Sequence, residues 1–481
     1  MFADVLKEPE IELGAGRRHI DPRAGIVHFG PLDAGVRPAI RVGLIGSRDT
    51  TEKLVRWLER CASGLEAKES RQPNLFPPFP GFSLDSPFQT ELVIDERRVR
   101  CVPSLEIQRI AATGTVEDAV EPFIAEMERL AQMGGVDVLV CAPPFDLLAS
   151  LETRRAAFDP SEAGLDEASD ESGRRPPYRR DFHDVLKARA MRFGTPSQMI
   201  REETYDSTKR RSRGDERRRE LQDEATRAWN FFTALYYKAG GSLWRLVRES
   251  VDLMTCYTGV SFYKTLDNER VLASVAQVFN ERGEGMIVRG GEALLDKDDR
   301  QPHLGREDAY RLLRNAVAAY RDEHHTSPAR LVLHKTSTFS DEEKEGFEAG
   351  GADERIAFVD LVWVRRSWTR VFREATYPPL RGTLIGLDER SGLIYLRGSV
   401  DYFATYPGMY VPRPLEFARV RGETTVRALA GEMLELSKLN WNNTQFDGGE
   451  PISVRAARRV GDILKNIPEG APFQARFGYF M

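Results

Sequence analysis

AIRVGLIGS, residues 39–47, is an apolar run broken only by Arg41 and closed by a glycine and a serine. A short apolar run that gives way to helical spacing is the pattern of a buried strand. It predicts a strand that turns through Gly46 into a helix near 50–64. A second run, VDVLVCAPP (136–144), stops at two prolines and reads the same way. Buried strands separated by helical segments imply a parallel sheet with helices on its faces, an α/β layout. The Gly43–Gly46 turn invites a phosphate-loop reading, but the remaining glycines of a dinucleotide fingerprint are absent, so a plain strand-to-helix turn is expected.

Working outward, residues 152–177 are rich in Asp, Glu, Ser, Gly, Arg and Pro and predict a surface loop. Helical spacing resumes at DFHDVLKARAM (181–191). A short extended piece carrying TPSQ follows, then a helix over Asp223–Lys238 that stops at Gly240-Gly241. Beyond Gly241 strands dominate. TCYTGVSFYKT (255–265) and VLASVAQVFNERGEGMIVRG (271–290) read as antiparallel neighbours. A helix near 306–323 precedes the buried strand ARLVLHK (329–335). More strands are expected at 355–364 and 383–398, and helices near 424–438 and 453–465. Strands first, then strand and helix in alternation, match a ribonuclease H-like layout.

The chain has 481 residues, 41% of them hydrophobic and 30% charged, with a net charge of −5 and a pI near 6.0. That is room for two or three cores in an ordinary globular composition. No stretch approaches the roughly 18 to 20 apolar residues needed to cross a bilayer. The start, MFADVLKEPEIELGAG, lacks the basic flank and apolar run of a secretion signal. Cys61, Cys101, Cys141 and Cys256 lie far apart without CxxC spacing, which argues against zinc sites and a disulfide framework and fits a reducing cytoplasm. The slight acidic balance argues against a protein coated in nucleic acid. It leaves room for a local basic channel and for an acidic face that meets a partner.

Three stretches carry a family resemblance. LSKLNWNNTQFDGGEPISVRAARRVGDILK (436–465) resembles the end of the PIWI domain of prokaryotic Argonautes. RPPYRRDFHDVLKARAMRFGTPSQMI (175–200), with ALYYKAGGSLWRL (234–246), resembles the guide-binding pocket of the MID domain and its exit into PIWI. GIVHFGPLDAG (25–35) resembles the start of the short Argonautes, which lack separate N and PAZ domains. The resemblance implies a Rossmann-like MID domain with the N-terminal segment in residues 1–240, followed by a ribonuclease H-like PIWI domain in 241–481.

His183 and Lys187 are four residues apart, on one helix face with Cβ atoms about 6 Å apart. Gln198 adds an amide and Lys238 a second ammonium, a charge-assisted cage for a terminal phosphate. The His/Lys spacing alone equally suits a solvated amphipathic helix. Gln198 and Lys238 stand where the family has its guide 5′-phosphate cage, although many long Argonautes have Tyr in the place of His183. The chain ends RFGYFM, apolar enough to be buried, and a buried carboxylate needs a partner or a metal. The resemblance implies that the Met481 carboxylate and Gln198 hold Mg²⁺ at the guide phosphate. A terminus simply packed on the core accounts for the same residues.

Argonautes that slice use acids to hold two divalent ions at the scissile phosphodiester. This sequence has Ser261 and Thr336 where the first and next acids should stand, and a hydroxyl does not replace a carboxylate on hard Mg²⁺. No slicing is expected. Asp267, Glu284 and Asp341 read as turn or helix-start residues. The run KRRSRGDERRR (209–219), with seven basic residues and two acids, either tracks a nucleic-acid backbone or is solvated surface. Arg455, Arg458 and Arg459 lie in the PIWI signature helix, with Arg455 and Arg458 taken as contacts to the guide or target backbone. His324-His325 reads as a helix end.

The expected function is therefore that of a catalytically inactive short Argonaute. It would take a short guide, expected to be RNA, by its 5′ end and pair it with single-stranded DNA, sequence being read by base pairing. The resemblance implies a partner with an APAZ domain joined to a sirtuin-like or TIR effector that degrades NAD in defence against plasmids or phage. A guide-dependent ribonuclease H-like nuclease with displaced acids is one rival. A scaffold that binds only its protein partner is the other.

Overall fold

The computed structural model describes residues 1–157, 180–209, 221–248, 253–267, 269–273, 276–279, 285–372, 378–408, 411–442, 444 and 448–481. Residues 158–177 of the expected surface loop, residues 210–219 of the basic run and Glu284 lie outside them. Residues 152–157 are not loop. They finish the helix Phe145–Ala157, because Leu147, Leu148 and Leu151 are buried and Arg154 caps a neighbouring helix end by donating to Gly114 O at 2.9 Å.

The first half is built on a parallel sheet in the order Glu91–Cys101, Ala39–Gly46, Val138–Ala142, Ser197–Met199. Its central strands are almost wholly buried, as their apolar runs require. The turn after Gly46 is a helix cap. Ser47 and Thr50 form a capping box at the start of Arg48–Ala62, and Thr50 Oγ1 donates to Ala142 O at 2.9 Å. A Cβ on Gly46 would lie 2.5 Å from Thr50 Oγ1, so the glycine serves this close packing. The extended piece carrying TPSQ is an edge strand: Gln198 sits within Ser197–Met199, and the bonds of Ile200 N to Cys141 O and Leu139 N to Pro196 O extend the ladder on either side.

The second half holds a nine-stranded mixed sheet. Thr255–Val260, Arg330–Lys335 and Phe358–Arg366 run parallel at its centre. Ala276–Phe279 pairs antiparallel with Thr255–Val260, as the sequence predicts. Helices Arg306–His324 and Asp341–Asp353 pack on one face, and Val426–Leu436 and Ile452–Leu464 on the other. Asp341 opens a helix capped by Ser340, Asp267 lies in a turn, and His324 ends its helix.

Two features tie the halves together. The first strand, Phe2–Val5, pairs antiparallel with Thr383–Gly386 at the edge of the large sheet, while Ile11–Glu12 bridges Arg18–His19 and Arg245–Leu246. One hydrophobic core also runs through both halves, from Trp57, Trp229 and Phe232 to Trp441, Val460 and Phe480. Tyr237 stacks on Trp441 at 4.6 Å, and Trp244 Nε1 donates to Lys438 O at 3.1 Å. Among the described residues no helix is long and apolar enough to cross a membrane.

Candidate functional site

Three helices meet at the seam between the halves. Phe182–Ala190 comes from the first half, Glu224–Lys238 leads out of it, and Ile452–Leu464 belongs to the second. Asp181 caps the first of these by accepting from His183 N at 2.9 Å. His183 and Lys187 then project from the same face one turn apart.

The imidazole is held between opposite charges. His183 Nδ1 lies 2.9 Å from Asp184 Oδ1 and 3.2 Å from Arg459 Nη2, and the same guanidinium nitrogen is 3.4 Å from Asp184. Burial outweighs the pull of Asp184 and drops the imidazole to about 4, so His183 is neutral at physiological pH. Sequence alone does not place Arg459 here, because Arg455, Arg458 and Arg459 lie within five residues of one helix and give no sign of which faces inward.

Lys187 is 1% exposed and Lys238 is 8% exposed. Lys187 Nζ donates to Ser197 O, and Lys238 lies near enough for the two amines to repel each other when charged. Burial, reinforced by Lys238 and Arg459, holds Lys187 well below the usual lysine range. Burial brings Lys238 down to about 7. Two buried neighbouring amines cannot both stay charged without an anion beside them.

Gln198 Nε2 donates to Phe231 O at 3.3 Å, tying the edge strand to the second helix. Its Oε1 is buried without a hydrogen-bond partner. The chain's end passes close by. Tyr479 Oη donates to Gly194 O at 2.7 Å, a Cβ on Gly478 would lie 4.0 Å from Lys238 Cα, and Met481 is 5% exposed.

Arg455 and Arg458 belong to a different cluster. Buried Glu450 receives Arg458 at 3.0 Å and Arg366 at 3.2 Å. Burial would raise its carboxyl, but Arg458, Arg366 and Arg455 outweigh it and hold it low.

Ser261 and Thr336 directly follow the adjacent parallel strands Thr255–Val260 and Arg330–Lys335, and Thr336 N donates to Val260 O at 3.2 Å. Nearby Glu343 is occupied, accepting from Lys335 Nζ at 2.9 Å, Leu304 N at 2.8 Å and Ser340 N at 2.9 Å. Among the described residues the one group of three potential metal ligands is Asp181, His183 and Asp184, at the start of the pocket helix.

No protein-family model and no curated protein matches the chain. Among solved structures it is similar to Clostridium butyricum Argonaute bound to a guide DNA and a 19-mer target DNA, at a TM-score of 0.67 and 13% identity, over 98% of this chain and 54% of that one. It is similar too to Aa-Ago with externally bound siRNA, at a TM-score of 0.62 and 14% identity, over 99% of this chain and 56% of that one. The fold is thus that of the MID and PIWI part of Argonautes, and the chain spans little more than half the length of either protein.

Proposed function

We propose that the chain is the guide-holding member of a short-Argonaute complex and binds nucleic acid without cutting it. The observation that carries this reading is the convergence of buried Lys187 and Lys238, from separate helices, beside neutral His183 and Arg459. Arg459 is matched by Asp184 and Asp462, while neither lysine forms an ion pair among the described residues. Two buried amines without a carboxylate partner can be charged together only with an anion beside them, and a terminal phosphate is a dianion that accepts several charge-assisted bonds at once. The Argonaute-like fold makes the 5′ end of a guide strand its natural source. The guide is RNA in this reading, and its complement is single-stranded DNA.

Gln198 Oε1, buried and without a partner, is a hard oxygen donor, which fits a divalent cation. Gln198 and the Met481 carboxylate would hold Mg²⁺, which would supply further positive charge beside the phosphate. Hydroxyls at Ser261 and Thr336 support a reading in which the chain does not slice. The output then falls to a cytoplasmic partner with an APAZ domain and a sirtuin-like or TIR effector that degrades NAD in defence against plasmids or phage.

Small nucleic acids extracted from the purified protein are expected to accept a 5′-end label only after phosphatase treatment. The guide-loaded chain is expected to give no cleavage product with Mg²⁺ or Mn²⁺. A guided product would establish the nuclease reading, and a protein that copurifies with no nucleic acid would favour the scaffold.

The lysines also set a pH dependence. A bound phosphate raises Lys238 from its value of about 7, so binding takes up a proton above that pH. Affinity for a 5′-phosphorylated strand should therefore fall above pH 7, by up to about tenfold per unit for one proton. Fluorescence anisotropy between pH 6.5 and pH 9 checks this, and a flat profile would contradict it.

A further inference from the structure

Residues 365–372, RRSWTRVF, follow on from the end of the central strand Phe358–Arg366 and contain three arginines and no acid. Trp368 is 79% exposed and Phe372 is 76% exposed. Their exposure is not that of a frayed end, because the backbone beneath them is pinned. Ser367 N donates to Pro414 O at 3.0 Å, Thr369 N to Ser367 Oγ at 3.2 Å, and Val371 N to Tyr395 Oη at 2.8 Å. Arg370 donates to Trp368 O at 3.1 Å, and the Arg413 guanidinium lies 4.2 Å from the Trp368 ring centroid. Isolated exposed apolar side chains are ordinary on a protein surface. Two large aromatic faces held outward within five residues and flanked by guanidinium groups are a combination suited to one class of ligand.

The position points the same way. Strand register places Trp363 opposite Lys335, so the segment carrying Trp368 leaves the sheet at the same end as Ser261 and Thr336. Arg366, at the base of this segment, shares Glu450 with Arg458, and Arg458 adjoins Arg459 of the phosphate pocket on the same helix. The aromatic pair and the pocket are thus joined through the Arg366–Glu450–Arg458 ion-pair cluster.

We propose that Trp368 and Phe372, with Arg370 and Arg413 beside them, form a stacking platform for the bases of single-stranded nucleic acid. The platform extends the guide-holding reading and rests on it. Aromatic rings stack on any base, and neighbouring arginines pair with the phosphates between bases. Arg365 and Arg366 are paired with Glu416 and Glu450, whereas Arg370 donates to backbone carbonyls alone, so its charge is available to a phosphate between stacked bases.

The test uses the full chain and a short 5′-phosphorylated single-stranded RNA. Of the six tryptophans, Trp57, Trp229, Trp244 and Trp441 are at most 1% exposed and Trp363 is partly buried, so acrylamide-accessible emission comes chiefly from Trp368, and its share is read as the difference from Trp368→Phe. Saturating RNA is expected to quench that emission and shield it from acrylamide. Trp368→Ala should weaken binding about tenfold or more, Trp368→Phe should retain most of it, and abasic RNA should bind the parent as weakly as intact RNA binds Trp368→Ala. The salt dependence of Trp368→Ala should match the parent, because no phosphate contact is lost, whereas Arg370→Ala should lower it. Unchanged affinity in Trp368→Ala with Phe372→Ala, with exposed emission indifferent to saturating RNA, would overturn the proposal and leave the patch to a protein. Preference for 5′-phosphate over 5′-hydroxyl RNA, read on the same proteins, separates the two ideas. If the platform alone is wrong, the preference survives. If the pocket is wrong, the parent itself lacks it.

Discussion

Exchanging Lys187 and Lys238 together for methionine is expected to lower affinity for a 5′-phosphorylated strand by about a hundredfold or more while leaving a 5′-hydroxyl strand bound nearly as before. Each lysine offers a charge-assisted bond worth about 1.5–3 kcal/mol. Methionine keeps the unbranched stem and the packing, so the loss is one of charge. The stability of the protein should respond differently. Lys238 sits near 7 when folded against an ordinary value of 10.5, so between those values the unfolded chain binds more protons than the folded one. Stability therefore rises with pH across that window, and at neutral pH the buried amine costs stability. Lys238→Met should melt no lower than the parent at pH 7, and the rise of stability between pH 7 and pH 10 should flatten. Lys187→Met strands the Ser197 carbonyl at about 1–3 kcal/mol, so the Lys238 variant is the cleaner stability test. A variant that loses phosphate preference without losing stability marks a ligand-binding residue, since one that merely packs would lose both.

The second large effect comes from a residue with no polar atoms in its side chain. Gly259 lies in the strand Thr255–Val260, beneath the start of the helix Ile452–Leu464. A Cβ there would stand 2.0 Å from Ser453 O and 2.4 Å from Ser453 C, both backbone atoms. No rotamer relieves such a clash, so the helix must move. Gly259→Ala should cost about 3 kcal/mol or more and lower Tm by roughly 5 °C or more. The helix it displaces carries Arg459, so the phosphate preference should weaken as well. Gly431→Ala is the control. Nothing lies within 4 Å of a Cβ at that helical position, and stability should hold or rise by up to about 1 kcal/mol. Calorimetry on the two variants checks both expectations.

The fold was legible where a strand or helix carries its own period. Ala39–Gly46, Val138–Ala142 and Arg330–Lys335 are buried on both faces and read as continuous apolar runs, and the closing helices fall within two residues of their expected limits. Phe2–Val5 gave no such sign. It is mostly exposed, and it is a strand only because Thr383–Gly386 offers it an edge. Leu415–Arg421 and the small sheet over 262–304 are short and half-buried, and tertiary pairing rather than local pattern decides them.

The pocket shows the same division. Spacing alone joins His183 to Lys187, since both lie on one helix. The position of Lys238 near Lys187 depends on the packing of separate helices, and only the family resemblance pointed to it; Gln198 is tied to Phe231 O on the helix that ends at Lys238. Arg459 lies more than 270 residues from His183 and came from the geometry alone. Arg455 and Arg458, whose place in the signature helix suggests backbone contacts, lie beside Glu450, a buried acid whose role composition does not announce.

The account turns on one physical claim, that buried amines from separate helices are arranged to receive the phosphate at the end of a strand. Equilibrium binding of one oligonucleotide, prepared with and without its 5′-phosphate, tests it most directly at neutral pH and moderate salt. The account predicts that the phosphorylated strand binds at least about tenfold more tightly, since two or more charge-assisted bonds depend on it. Equal affinity for the two strands would contradict it.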